Sequence, residues 1–262
     1  MEILRGSDEM DYIKFNSEIW DKCVEDKDIW TVPVSSETIE NARKGIWDVV
    51  LTPNKPVPKD WFPNDMKGLK VLLMGGGGGQ QGPILAALGA DVTVFDNSKK
   101  QLEQDEMVAK RDNLDIKTAQ GSIQDLSIFP NESFDLIMEF ASGFVESALP
   151  VWKEAYRVLK KGGALLSGHS HPFEYIFDAD ELEKGNLIAR HKIPYSDIKD
   201  LSPEEFERIV TDGTVFAHTY EDLIQGQIDA GFLIAGYYDD SGSDSILDKY
   251  ISSFFATKAI KL

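Results

Sequence analysis

Five consecutive glycines, Gly75 to Gly79, follow the apolar run Val71-Leu72-Leu73-Met74. A buried strand that enters a turn without side chains lets something approach its backbone. The entropy cost of five glycines favours a bound small molecule over a plain connection. Gly77, Gly79 and Gly82 satisfy G-x-G-x-x-G, and Gly75, Gly77 and Gly79 satisfy G-x-G-x-G. Asp96 closes the next apolar run, where a carboxylate can accept hydrogen bonds from ribose hydroxyls. His169 and His171, two residues apart after a later run, could act as a general base near neutral pH, serve as structural histidines, or supply two metal ligands. Phe15, Trp20 and Trp30 could fold over a ligand, exclude water, or turn a ring face to a cation, while Trp47 and Trp61 suit core packing.

Positioning such groups requires alternating strands and helices. The runs Lys70 to Met74, Asp91 to Phe95, Ile116 to Ala119, Phe134 to Glu139 and Ala164 to Gly168 read as strands separated by helical stretches. Pro83 can open the first of these helices and Gly89 close it. Ser98 and Gln101 have capping-box spacing, and Val151, Ala155, Val158 and Leu159 form a helical stripe expected to stop at Lys160-Lys161-Gly162-Gly163. Beyond His171 the rhythm breaks into a polar stretch with Pro194 and Pro203, read as a cap. A helix over about Tyr220 to Ala230 and two strands, Leu233 to Tyr238 and Phe254 to Lys261, complete the chain. Joined without a full crossover, those two strands pair antiparallel. The expected organisation is an aromatic-bearing N-terminal arm or lid over 1–66, a ligand-binding α/β core over 67–171, a cap over 172–217, and the last helix and strands over 218–262.

Composition narrows the partners. The 262 residues are 42% hydrophobic and 27% charged, a globular mixture. The formal net charge of −18 disfavours nucleic acid as a partner. The start, Met1 to Asp11, lacks the basic and apolar regions of an export signal, and no stretch is apolar enough to span a bilayer, so a cytoplasmic protein without membrane association is expected. The single cysteine, Cys23, excludes an internal disulfide and reads as structural.

The G-x-G-x-G loop resembles that of class I S-adenosylmethionine (SAM) methyltransferases, and four later segments are similar to the same family in order. Val92 to Ser98 resembles its second motif, which implies that Asp96, with Asn97 beside it, holds the ribose. Gly121 to Leu126 resembles the adenine-binding loop, matching Ser122 and Ile123 to the purine edge. Ser133 to Met138 resembles the fourth strand, and Arg157 to Gly163 the helix end and turn before the fifth. Together with "GGGGGQQG" and "PVWKEAYRVLKKGG", these segments look like bacterial type-11 small-molecule methyltransferases. The resemblance implies a doubly wound, mostly parallel seven-stranded sheet with an antiparallel last strand. It also implies SAM as cofactor, S-adenosylhomocysteine as product, and methyl transfer to a small-molecule acceptor by in-line displacement.

Under this resemblance Gly75, Gly76, Gly77, Gly79 and Phe140 are further cofactor contacts. The family's acid two residues before the first glycine is replaced by Leu73, for which Glu139 could substitute; an exposed strand-end carboxylate is the other reading of Glu139. Where the family often places Asp on the adenine amine, Ser122 stands, with Gln124 or Asp125 able to compensate. His171, then His169, are the candidate bases, and Trp20, Tyr175, Tyr195 and His218 are candidate acceptor-pocket residues. Glu139-Phe140-Ala141-Ser142 is not the element that holds a flipped nucleobase, so DNA and RNA are not expected substrates. An NAD(P)-dependent oxidoreductase and a non-catalytic SAM-binding protein stand as alternatives.

Overall fold

The computed structural model describes residues 10–242 and 245–262. Residues 1–9, which begin the expected arm and carry most of the Met1 to Asp11 reading, lie outside the described residues. The arm contributes helices α1 (Tyr12–Asp26) and α2 (Ser36–Arg43). There follow β1 (Lys70–Met74), α3 (Gln81–Ala87), β2 (Asp91–Asp96), α4 (Lys99–Asp112), β3 (Ile116–Gln120), β4 (Phe134–Glu139), α5 (Ala148–Val158) and β5 (Leu159–Ser170). The stretch 172–217 holds α6 (Ala179–Glu183), α7 (Asp197–Asp200), α8 (Pro203–Ile209) and a ribbon of β6 (Tyr195–Ser196) with β7 (Phe216–Ala217). A π turn over Glu221–Gln225 leads into α9 (Gly226–Asp229), then β8 (Phe232–Asp240) and β9 (Phe254–Lys261).

The main sheet has seven strands in the order β3-β2-β1-β4-β5-β9-β8. β1 to β5 pair in parallel, while β9 is antiparallel to both of its neighbours. Chain order reverses between β1 and β4, the switch point at which open α/β sheets leave a crevice beyond their carboxyl ends. Side chains alternate across the sheet. Val71, Leu73, Val92, Val94, Leu136 and Met138 join one apolar cluster with α3 and the 49–66 segment. Leu72, Met74, Phe95 and Ile137 join another with α5. The α5 stripe Val151, Trp152, Ala155 and Val158 is wholly buried, which ties the helix to that second face.

The expected stop at Lys160-Lys161-Gly162-Gly163 is corrected by the structure. α5 ends at Val158, and those four residues already belong to β5. Glycine and lysine chemistry suits a helix end equally well, but here it builds a bulge. Phe134 pairs with Leu159 and Leu136 with Ala164, so the β5 side carries extra residues, with Gly162 at φ +77°. α3 begins at Gln81, two residues before Pro83, and Gly89 follows it at φ +92°. The capping box at α4 is only half formed. The Ser98 hydroxyl accepts from Gln101 N–H, but Ser98 N–H donates to Asp96 Oδ1 at 2.9 Å.

The arm lies against the sheet's carboxyl edge. Asp21 accepts from Ser98 Oγ at 2.6 Å and from Lys100 N–H at 2.9 Å, supplying a negative charge at the start of α4. Asn16 accepts from Thr214 N–H at 2.7 Å and donates to Phe144 and Thr214 carbonyls, linking α1 to both the sheet edge and the 172–217 segment. Trp61 is buried and Trp47 packs beside the same cluster, edge-on to Phe62 at 5.2 Å. Phe15 packs on Phe206 of α8, with ring centroids 5.6 Å apart, and does not line the crevice. Cys23 is buried, which pushes its thiol pKa up. No helix among the described residues is long and apolar enough to cross a membrane.

Candidate active site

A cavity of about 380 Å³ opens at the switch point, within the range of small-molecule and cofactor sites. Its floor is the loop after β1, with Gly75, Gly76 and Gly77. One wall is Asp96, Asn97, Ser98 and Gln101, and another is Ser122 with Ile123. Phe140, Ala141 and Phe144 follow β4, Gly168, His169 and Ser170 end β5, and α1 covers the opening with Ile13, Asn16 and Trp20. These three are spaced by three and four residues, one face of a helix, and that periodicity is a sequence signal for the site that the aromatic residues alone did not reveal. Trp30 stands at the rim and remains half exposed. Gln80, Gln81, Asp212 and the 50–53 segment also line the cavity, and sequence reasoning did not find them.

The absence of side chains in the loop has a cause within the protein itself. A Cβ on Gly75 would sit 2.3 Å from the Ala141 Cβ, and the residue has φ +63°. A Cβ on Gly77 would meet Gln101 at 2.7 Å and Asp96 Oδ2 at 3.0 Å. The strand ends therefore close on the loop before any ligand does, which corrects the reading that a bound molecule alone excludes side chains. Gly79 turns away from the cavity, and its N–H donates to the buried Asp105 at 3.1 Å.

Asp96 is the best-placed acid. Its Oδ2 accepts from Gly77 N–H at 3.0 Å and its Oδ1 from Ser98 N–H at 2.9 Å. A carboxylate offers about four lone-pair sites, so two acceptor positions are left for a ligand. Burial raises its pKa, while the amides of Ser98, Gly77 and Asn97 oppose the shift. Asn97 is held by α1: its amide donates to the Ile13 carbonyl at 2.5 Å, and its own carbonyl accepts from Ser17 Oγ. Gln101 Oε1 is buried at the same wall without a partner, the kind of orphan acceptor a donor-bearing ligand could satisfy. Gln124 and Asp125 do not line the cavity: Gln124 Oε1 accepts from Tyr12, and Asp125 Oδ1 from Ser127 N–H.

Glu139 lies beneath this wall, with no exposed surface and no face in the cavity. It is neither an exposed strand-end carboxylate nor within the ligand space. Its Oε1 accepts from Ala141 N–H at 2.7 Å, and its Oε2 accepts from Ser167 Oγ at 2.5 Å. β4 and β5 place Glu139 opposite Ser167, and burial raises the Glu139 pKa to about 7.

The histidines separate. His169 lines the cavity, with Ser167 Oγ 2.9 Å from Nε2 and Ser142 Oγ 3.1 Å from Nδ1. Burial lowers its pKa to about 3, so it is neutral at pH 7. His171, the first candidate base, lies outside the cavity, because β5 ends at Ser170 and the chain turns away. Its ring bonds Tyr220 at 2.8 Å and Asp239 at 3.2 Å and stacks on Phe173. A second chamber of about 90 Å³ adjoins the first, sharing Phe140, Phe144, Gly168, His169 and Ser170. Tyr175 and His218 line this chamber, and His218 Nε2 donates to the carbonyls of Ser142 and Val145. Tyr195 lines neither space; its hydroxyl donates to Asp197 at 2.8 Å. Among the described residues, no lysine or arginine lines either chamber.

Residues 72–167 match the family described as "Methyltransferase domain". The chain is 52% identical over 253 residues to an uncharacterized methyltransferase of Bacillus subtilis, YbaJ, covering 95% of this chain and 98% of that protein. In fold it is similar to an S-adenosylmethionine-dependent methyltransferase from Mesorhizobium loti, with a TM-score of 0.60, 17% identity, and 78% of this chain and 95% of the other covered. It is similarly close to a SAM-dependent methyltransferase from Methanosarcina mazei, with a TM-score of 0.55, 20% identity, and 78% and 95% covered. The chain belongs to the methyltransferase family.

Proposed function

We propose that this enzyme methylates a small, neutral or cationic acceptor in the cytoplasm, with the arm (1–66) as lid and the 172–217 segment as cap. The observation that carries the charge assignment is the lining. Asp96 and Asp212 are its acids, no lysine or arginine is among the described lining residues to neutralise a carboxylate or phosphate, and burial lowers the pKa of the lining histidines, His169 and His218. Desolvating an acceptor anion there would cost several kcal/mol without a partner, whereas the cofactor's own carboxylate brings its α-ammonium beside it. The same argument, with the net charge of −18, disfavours a nucleic-acid acceptor.

The cavity fits the cofactor. Asp96 would hold the ribose hydroxyls with its two unused acceptor positions, Ser122 and Ile123 would border the adenine, and the Gly75 to Gly77 backbone would face the amino-acid portion. When bound, SAM supplies an electrophilic methyl group whose bonding pair leaves with sulfur. The chain's own task is to orient the acceptor and keep water out, which Trp20, Phe140 and Phe144 do by walling the space with rings. Incubation with tritiated-methyl SAM against two acceptor sets tests this reading. Neutral or cationic alcohols and amines should take up label, whereas label confined to carboxylated or phosphorylated compounds would contradict it.

A further inference from the structure

Behind the shared wall of the two chambers, four side chains form one unbroken chain of hydrogen bonds. Glu139 Oε2 meets Ser167 Oγ at 2.5 Å, Ser167 Oγ meets His169 Nε2 at 2.9 Å, and His169 Nδ1 meets Ser142 Oγ at 3.1 Å. Glu139, Ser142 and Ser167 are buried, and His169 is 6% exposed. Ser142 and His169 line the smaller chamber, where Tyr175 and His218 also face. We propose that the smaller chamber receives the nucleophilic end of the acceptor, a hydroxyl or amine, and that Ser142, His169, Ser167 and Glu139 relay its proton away from the reacting atom. This assignment rests on the methyltransferase reading above. Ser142 is the catalytic residue of the relay, the one that touches the acceptor; His169, Ser167 and Glu139 act through it, as positioning residues that orient the Ser142 hydroxyl and carry the proton onward.

The polarity of the chain follows from its end. An ionised Glu139 can only accept, so Ser167 must donate to it, and the Ser167 oxygen is left to accept from His169 Nε2–H. His169 Nδ1 is then a lone pair that accepts from the Ser142 hydroxyl, and the Ser142 oxygen is free to accept a proton. As the acceptor atom bonds the methyl group, its proton passes to Ser142 Oγ. The Ser142 proton moves to His169 Nδ1, the His169 Nε2 proton to Ser167, and the Ser167 proton to Glu139 Oε2. One proton enters at Ser142 and one arrives at Glu139, and no other reactant is needed. The carboxylate's charge is lost in the same event in which the sulfonium's charge is lost, so the buried site ends neutral. The Glu139 pKa, near 7, places its gain and loss of a proton within reach of ordinary pH, and the low His169 pKa makes the imidazole a conduit instead of the proton's resting place.

Protonation of Glu139 reverses every donor. Glu139 then donates to Ser167, Ser167 to His169 Nε2, and His169 Nδ1–H to Ser142. Ser142 also faces Glu139 directly, through its backbone N–H and its hydroxyl, and both favour the charged carboxylate. His218 and His171 face His169 electrostatically, Asp222 faces His218, and Asp239 faces His171. Trp152 and Phe255 pack the His169 ring on its other sides without charge.

The test reads the tautomer directly and needs no acceptor. Imidazole nitrogen-15 spectra of the whole chain are recorded from roughly pH 5.5 to 8.5, the window in which histidine chemistry is read. His169 is assigned by its loss in His169→Gln. The expected result is an exchange of the two His169 nitrogen shifts, from Nδ1–H at low pH to Nε2–H at high pH, with a midpoint near 7, and its disappearance in Glu139→Gln. Ser167→Ala, a smaller change, should abolish the exchange equally and serves if Glu139→Gln fails to fold. A His169 locked in one tautomer across the range, or an exchange that persists in both variants, overturns the relay. Titration of the wild-type sample with S-adenosylhomocysteine separates the two readings. Binding with a locked tautomer removes the relay alone, whereas tautomer exchange without binding overturns its catalytic assignment.

Discussion

Asp105, beneath the glycine loop, carries a pH signature that can be separated from the rest of the protein. It has no exposed surface, accepts from Gly79 N–H through Oδ2, and leaves Oδ1 buried without a partner. Burial, the largest influence, raises its pKa to about 8, with Asp96 and Glu106 adding repulsion. A free aspartate titrates near ~3.9. Between those two values the folded protein holds a proton that the unfolded chain has released, so this group's stabilising contribution is full below ~3.9 and is lost as pH rises towards 8. The gap corresponds to a ceiling of roughly 6 kcal/mol across the window. Asp105→Asn replaces the protonated acid with a neutral isostere whose oxygen can still accept from Gly79. Urea unfolding at pH 5 to 9 should therefore show wild-type stability declining relative to Asp105→Asn by at least about 1 kcal/mol between pH 5 and 8. Parallel stability curves for the two proteins would mean that Asp105 does not hold its proton in the folded state.

Asp96→Ala removes both acceptor positions assigned to the ribose. By calorimetry the loss should be about 2 to 3 kcal/mol, or roughly 30- to 150-fold in S-adenosylhomocysteine affinity, and unchanged affinity would take Asp96 out of the site. Gly168→Ala would place a Cβ 2.0 Å from the Leu51 carbonyl oxygen, a backbone atom that cannot swing aside. Denaturation should show a loss of about 1 to 3 kcal/mol or more, and because β5 and the 50–53 segment both wall the cavity, ligand affinity should fall with it.

The sheet was legible because each core strand is a short apolar run and each helix a periodic one. The runs over 70–74, 134–139 and 254–261 match the observed strands residue for residue. Two lysines and two glycines misled at 160–163, since a bulged strand entry and a helix stop draw on the same residue types. Asp96 could be found because a strand-end acid beyond a glycine loop is a local pattern. The partnership of Glu139, Ser167 and His169 could not be found that way. It depends on which residues of β4 and β5 stand opposite each other, and the bulge shifts that pairing. His171 was the preferred base on the assumption that β5 continues. The strand ends one residue earlier, and Tyr220 and Asp239 claim the ring. The landing of α1 over the cavity rests on tertiary bonds such as Asp21 to Ser98 and Asn16 to Thr214, contacts between segments far apart in the chain.

Everything about the site assumes that the cavity between β1 and β4 holds the methyl donor. Isothermal titration of the wild-type protein with S-adenosylhomocysteine, followed by the same titration with NADH, puts that to the test. Saturable one-to-one binding of S-adenosylhomocysteine, with no heat from NADH, is expected. NADH binding alone, or no heat from either compound, would contradict it.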